Sequence, residues 1–383
     1  MRLLHTSDWH LGRSFHREDM LGAQAAFVDH LVDTVASENV DAVVIAGDIY
    51  DRALPPVDAV QLCNEALRRL TGLDVRIVII SGNHDSAQRL GFGSDLMEAA
   101  GVHLRTDPAS IGEPVMLEDR HGPLACYGIP YTEPGLVRQR WELGERSHTA
   151  ALGHAMSRVR DDLATRPAGT RSVVAAHAFV TGGEASDSER DISVGGVGNV
   201  PASVFAGADY AALGHLHGRQ AIADTVRYCG SPLAYSFSEE HQRKGSWLVD
   251  IGPAGVESVE FVQAPVPRPL ARVSGTLDDL LTGQRWAPYE DHWLQVTLTD
   301  PVRPKAAMER LRERFPHALV LGFAPVGAGP GDERSWTERV RGRNDTELAF
   351  DFVREVRGEP ADEEEAGLLH AAFESCRTQE ASA

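Results

Sequence analysis

Residues 41–51 read DAVVIAGDIYD. The small and apolar run 42–46, rich in Val and Ile, predicts a strand buried on both faces. Gly47 lets the chain turn at the strand's end. Asp48 then stands at the carboxyl edge of a sheet, where open α/β folds place their chemistry. One carboxylate at that point has two oxygens and can bridge two metal ions.

Other stretches deliver ligand-type residues to the same kind of position. A strand predicted over 2–7 ends in Asp8-Trp9-His10, and one over 75–80 ends in Gly82-Asn83-His84-Asp85. A strand over 172–176 ends on His177, and a short one over 210–213 ends in Gly214-His215-Leu216-His217. Residues two apart on an extended segment point the same way, so Asp8/His10 and His215/His217 are each expected to act as a pair on one face. Asp, Asn and His form a mixed oxygen and nitrogen set, suited to Mn²⁺, Fe²⁺ or Zn²⁺ rather than Ca²⁺. Singly these signals are weak. Asn and Asp are common turn residues, and a lone histidine after an apolar strand is usually a satisfied core residue. Five blocks in order, each at a predicted strand end, argue against coincidence. His5, His16, His30, His103, His154, His241 and His292 match no such position and read as structural or surface residues.

Strands and helices alternate through the first 180 residues or so, with helical spacing over 24–37, 57–70 and 152–164. This is the pattern of a layered α/β fold. Strands are also expected over 124–130, 226–229, 246–251 and 258–262. Residues 263–270, QAPVPRPL, carry three prolines and read as an extended linker. Beyond it, 293–298 alternates like a strand, 304–315 like an amphipathic helix, and 326–334 has loop composition. The tail reads as two helices, opened by Asn344 with Glu347 and by Asp362 with Glu365 as capping boxes, and broken apart at Gly358 and Pro360. Leu348, Phe352 and Val356 form an apolar face on the first helix, and Leu368, Leu369, Ala372 and Phe373 on the second.

The chain has 383 residues, 42% hydrophobic and 24% charged, an ordinary globular balance. No apolar run approaches the roughly 20 residues that cross a bilayer, so no membrane association is expected. The opening MRLLHTSDWH predicts no signal peptide. Four scattered cysteines without CxxC spacing read as reduced thiols in a cytoplasmic protein. A net charge of −19 argues against broad binding to a polyanion. The imbalance is uneven: residues 344–383 hold 11 acidic and 3 basic side chains, whereas 301–343 hold 9 basic and 5 acidic.

The five blocks resemble those of the calcineurin-like metallophosphoesterases. The words around them, HTSDWHLGR, GNHDSAQRL, DYAALGHLHGRQ and YCGSPLAYSFSE, are similar to the SbcD family of bacterial nuclease subunits. The resemblance spans nearly the whole chain. It implies a four-layered α/β metallophosphoesterase sandwich over 1–262, the linker 263–270, a small α+β capping domain over 271–343 and a helical, partner-docking tail over 344–383. It implies two divalent ions, Mn²⁺ with Mg²⁺ as the alternative. One would take Asp8, His10, Asp48 and His217; the other Asp48, Asn83, His177 and His215. His84 would be the catalytic acid and Asp85 would orient it. Counterparts outside bacteria carry histidine at the position of Asp51, which makes Asp51 a supporting acceptor here. Segment 230–239 is either a substrate-side loop or an ordinary turn and edge strand. Arg13, Arg17 and Arg89 either meet phosphates or are solvated.

The implied activity is 3′→5′ exonuclease action on double-stranded DNA and endonuclease action on hairpins. The implied partner is an SbcC-type coiled-coil ATPase, in a heterotetramer built on a homodimer through helices near 57–70 and 86–100. A phosphatase or cyclic-nucleotide phosphodiesterase could use the same blocks; an inactive scaffold that only binds DNA ends or a partner is disfavoured, because every ligand position and His84 are present.

Overall fold

The computed structural model describes residues 1–190, 192, 200–325, 345–357 and 359–380. Two six-stranded sheets form its centre. The first is built from β1 (Arg2–Thr6), β2 (Ala42–Ile45), β3 (Arg76–Ile80), β4 (Val102–Arg105), and the hairpin strands Gly245–Gly252 and Gly255–Gln263. The hairpin continues the sheet beyond β1, giving the order hairpin, β1, β2, β3, β4, with β1 to β4 parallel. The second sheet contains β5 (Val115–Asp119), β6 (Gly122–Ile129), β7 (Arg171–His177), β8 (Tyr210–Gly214), β9 (Gln220–Ala223) and β10 (Val226–Tyr228), in the order β9-β10-β8-β7-β6-β5.

Alternation along the strands shows why the apolar runs are continuous. Val43, Ile45, Ile77 and Ile79 face one core with Val28, Leu31 and Val35 of α1 (Leu21–Ser37) and Ala59, Cys63 and Ala66 of α2 (Val57–Thr71). Their neighbours Ala42, Val44, Val78 and Ile80 face Val173, Ala175, Tyr210 and Ala212 of the opposite sheet. Val174, Ala176, Ala211 and Leu213 face outward again, onto Leu152, Ala155, Met156 and Val159 of α3 (His148–Thr165). The layers run helix, sheet, sheet, helix, and strands between two apolar layers need apolar residues at every position.

Boundaries move where caps outrank apolar spacing. Helix α3 starts at His148 because Ser147 Oγ accepts from the Ala150 N–H at 3.1 Å. The helix expected over 304–315 runs from Ala307 to Arg314. Strands β4, β5 and β9 are additions to the sequence reading. A separate three-stranded sheet contains Leu270–Gly275, Trp293–Leu298 and Ala318–Phe323. The chain divides into two compact units: Met1–Thr297 with Lys305–Gly322, and Leu298–Pro304 with Phe323–Ala383. The second contains helices Asp345–Arg357 and Glu363–Glu380. Asp362 Oδ1 accepts from the Glu364 and Glu365 N–H groups at 3.0 and 2.9 Å, and Glu365 Oε2 accepts from Asp362 N–H, the expected capping box. The other expected cap residue, Asn344, together with the loop 326–334 and Gly358, lies outside the described residues.

Candidate metal centre

Strands β1, β2 and β3 lie side by side in one sheet, and β7 and β8 side by side in the other, each set parallel. Their carboxyl ends therefore open on one edge, and all five blocks gather there. Asp8, His10 and His217 bring ligand atoms within 4.8 Å of one another, as do Asp8, Asp48 and His177. Asp48 Oδ2 lies 3.6 Å from His10 Nε2 and 3.5 Å from His177 Nε2. Asn83 Oδ1 lies 2.9 Å from His177 Nε2 and 3.1 Å from His215 Nδ1, and the His10 and His217 Nε2 atoms face each other at 2.9 Å.

The chain reaches this geometry through unusual backbone. Asp8, His10, Asp48 and His215 all have positive φ, of 53°, 46°, 50° and 108°. Such conformations cost energy and concentrate at functional sites. They also correct the reason given for pairing. Asp8 and His10 converge through left-handed kinks, not through the period of an extended strand. His215 and His217 diverge: His217 meets His10 while His215 meets Asn83. Two glycines permit the close approach. A Cβ on Gly82 would sit 2.1 Å from Asp48 Oδ1, and one on Gly214 would sit 1.9 Å from the Ala46 carbonyl oxygen.

A family model described as calcineurin-like phosphoesterase matches residues 1–219. The chain belongs to that family. The model for the SbcD C-terminal domain, described as a type 5 capsule protein repressor C-terminal domain, matches residues 266–357. The two matches together agree with the SbcD resemblance. Among solved structures, the Thermus thermophilus protein TT1561 is 12% identical with a TM-score of 0.40, over 68% of this chain and 98% of its own. The Plasmodium GAP50, titled the anchor in the inner membrane complex, is 12% identical with a TM-score of 0.40, over 85% and 98%. A dimetal phosphatase from Danio rerio is 13% identical with a TM-score of 0.37, over 69% and 99%. Likeness at that level says nothing about substrate.

The electrostatics of this phosphoesterase suit a cation. Burial pushes the Asp8 carboxyl well above its ordinary range, and the Asp48 charge adds to it. Burial also pushes Asp48 up to about 6. Burial lowers His177 to about 4, and holds His10 and His215 well below the ordinary imidazole range. Neutral imidazoles and crowded carboxylates are the forms that ligate metal. Donor pairs 2.9–3.6 Å apart also match the ~3 Å spacing of adjacent ligands around an ion with bonds of about 2.1 Å. The residues present therefore fit divalent metal.

His84 stands at the rim. Its backbone N–H donates to Asp48 Oδ1 at 2.8 Å, its Nδ1 donates to the Asp51 carbonyl at 2.8 Å, and its Nε2 lies 4.0 Å from Asp48 Oδ2. Asp85 does not orient it. The Asp85 carboxylate instead accepts three backbone N–H groups, from Ile49, Gly82 and Tyr50, at 3.1, 3.0 and 3.0 Å. It clamps the loop after β2 to the loop after β3, and a short acidic side chain inside a turn is spent on nearby amides. Residue 51 orients His84 through its backbone carbonyl, a group that every residue type possesses.

Sequence reasoning missed the shell behind the candidate ligands. Segment 230–239 forms no edge strand: it is a turn-rich stretch closing in a 3-10 turn over Phe237–Glu239. Its Ser231, Leu233, Tyr235, Phe237 and Glu239 are buried, and Tyr235 donates to the Trp9 carbonyl at 2.6 Å. Alternate spacing was the available signal. Arg13 is not simply solvated: it donates to the Ser188 carbonyl at 2.8 Å and lies over the Tyr235 ring. Arg17 and Arg89 are exposed. Ser188 and Glu189 reach His217 from 29 and 28 residues away, a closeness that leaves no trace in sequence.

Proposed function

We propose that this phosphoesterase is a Mn²⁺-dependent DNA nuclease, a 3′→5′ exonuclease on duplex ends and an endonuclease on hairpins. It acts with an SbcC-type coiled-coil ATPase in repair and recombination, in the cytoplasm and on the nucleoid. The observation that carries the reading is Asp48 Oδ2, which faces His10 Nε2 on one side and His177 Nε2 on the other at 3.6 and 3.5 Å. Asp8, His10, Asp48 and His217 would hold one ion, and Asp48, Asn83, His177 and His215 the other. The match to the SbcD C-terminal domain supports DNA as the substrate and the ATPase as the partner.

Divalent ions held by Asp8, His10, Asp48, Asn83, His177, His215 and His217 would supply a lowered water pKa and positive charge for the phosphoryl oxygens. The chain supplies the rest. His84 donates from Nδ1 to the Asp51 carbonyl, which leaves Nε2 turned to the centre. Protonated there, it gives its proton to the leaving oxygen. Asp85 holds the two loops that carry Asp48 and Asn83 in register.

Exposed Val57, Val60, Phe92 and Leu96 support the homodimer through segments 57–70 and 86–100. Exposed Phe352, Val356 and Leu368 support docking of the tail on the ATPase. The match beginning at residue 266 supports a division at the Pro-rich linker. Among the described residues no helix is long and apolar enough to cross a membrane.

The test is cleavage of an end-labelled duplex and a hairpin in Mn²⁺, with Asp48→Ala as control. Cleavage that disappears in the variant supports the nuclease. Failure to cleave with metal bound and the ATPase added, alongside turnover of a p-nitrophenyl phosphodiester, would refute DNA as the substrate.

A further inference from the structure

Three histidines of the centre are held by hydrogen bonds that select a tautomer. His177 Nδ1 faces the Ala46 carbonyl at 2.9 Å and His84 Nδ1 faces the Asp51 carbonyl at 2.8 Å. A carbonyl only accepts, so both rings carry their proton on Nδ1. His217 is held differently. Its Nδ1 faces the Ser188 hydroxyl at 2.5 Å, and a hydroxyl can donate or accept. Left alone, that contact would select neither tautomer.

Glu239 removes the ambiguity. Its Oε1 bonds the same Ser188 hydroxyl, while its Oε2 pairs with Lys244 Nζ at 2.5 Å. Lys244 also donates to the His217 carbonyl at 2.8 Å. The Glu239 side chain is fully buried and Lys244 nearly so, and the buried ammonium keeps the carboxylate charged. A carboxylate can only accept, and a charged acceptor draws a proton more strongly than a neutral imidazole. The single Ser188 proton therefore goes to Glu239, and the hydroxyl lone pair is left to accept from His217 Nδ1–H. The His217 Nε2 lone pair then faces the centre, 2.9 Å from His10 Nε2. Glu189 completes the grip: its Oε1 accepts from the His217 backbone N–H at 2.7 Å.

We propose that Ser188 and Glu239 are positioning residues, a relay that fixes His217 in its Nδ1–H tautomer and aims Nε2 as a metal ligand. The inference rests on the reading of His217 as a ligand. Partners behind a ligating histidine are worth about 10–100-fold in metal affinity. A purely structural Ser188 would affect neither tautomer nor affinity.

The experiment uses the full chain with histidine labelled in ¹⁵N and Mn²⁺ as the probe. In the metal-free protein, long-range ¹H–¹⁵N spectra should show His217 protonated on Nδ1, its signals assigned by their absence in His217→Gln. Ser188→Ala should populate the Nε2–H tautomer and weaken Mn²⁺ binding by about 10–100-fold, measured by calorimetry. Ser188→Thr, which keeps the hydroxyl, should restore both. Glu239→Gln, which removes the charge that claims the hydroxyl proton, should shift the tautomer in the same direction as Ser188→Ala. An Nε2–H tautomer in the wild type, or unchanged tautomer and affinity in Ser188→Ala, would overturn the relay. Wild-type protein that binds no Mn²⁺ would instead sink the metal-centre reading, and the relay with it.

Discussion

Replacing Asp85 with Asn tests what that carboxylate does. Its two oxygens accept three backbone N–H groups: Oδ2 from Ile49 and Gly82 at 3.1 and 3.0 Å, Oδ1 from Tyr50 at 3.0 Å. An amide has one acceptor oxygen. With that oxygen in the Oδ2 position two bonds survive, and the NH₂ faces the Tyr50 N–H, donor against donor. The loss is one bond to a charged acceptor plus an unsatisfied N–H, about 2–3 kcal/mol. Both affected loops lie at the site, so the effect should be local. Hydrogen exchange in the metal-free protein reads it directly, because amide protection reports local opening. Exchange at Ile49, Tyr50 and Gly82 should accelerate about 30- to 150-fold, at tenfold per 1.4 kcal/mol. Helix α3, far from the clamp in sequence and in another layer, should keep its protection. The pH dependence of phosphodiester hydrolysis should keep the same limb for His84, because the Asp51 carbonyl still holds that ring. Unchanged exchange in the two loops, with a displaced His84 limb, would refute the clamp and restore Asp85 as the residue that orients the acid.

His84→Ala should keep Mn²⁺ binding and lose about 10²–10⁴-fold in hydrolysis, whereas Asp51→Ala, which keeps the backbone carbonyl, should stay close to wild type; equal activity in His84→Ala would remove that residue from proton transfer. A second prediction concerns acid stability away from the centre. His5 is fully buried between Tyr210 OH and the Leu213 carbonyl, and burial lowers it to about 3. The unfolded chain protonates it near 6.5 and the native one only near 3. Its contribution is therefore complete above pH 6.5 and is lost as pH falls, by about 1.4 kcal/mol per pH unit. Urea unfolding in chelator between pH 5.5 and 4.5 should show a slope shallower by about that amount in His5→Gln; parallel slopes would refute it.

The amino-acid sequence by itself determined the layers and which Asp, Asn and His residues reach the sheet edge. Continuous apolar runs such as AVVIA and RIVII mark strands covered on both faces, because a side chain on either face then meets another layer. Each run is followed within three residues by an Asp or Asn, and parallel strands bring such stops to one edge. That logic uses only local pattern, so it survives without coordinates. Tertiary structure decided the rest. The convergence of Asp8 on His10 depends on left-handed backbone at both, which the strand period does not foretell. Asp85 and Asp51 exchanged their expected roles because hydrogen bonds go to whatever group folding brings nearest. Here those are the loop amides for one and the His84 ring for the other. The Ser188–Glu239–Lys244 shell was invisible for the same reason. Burying a charged pair beneath a histidine requires three segments to meet, and no residue in any of them carries a periodic signal of the others.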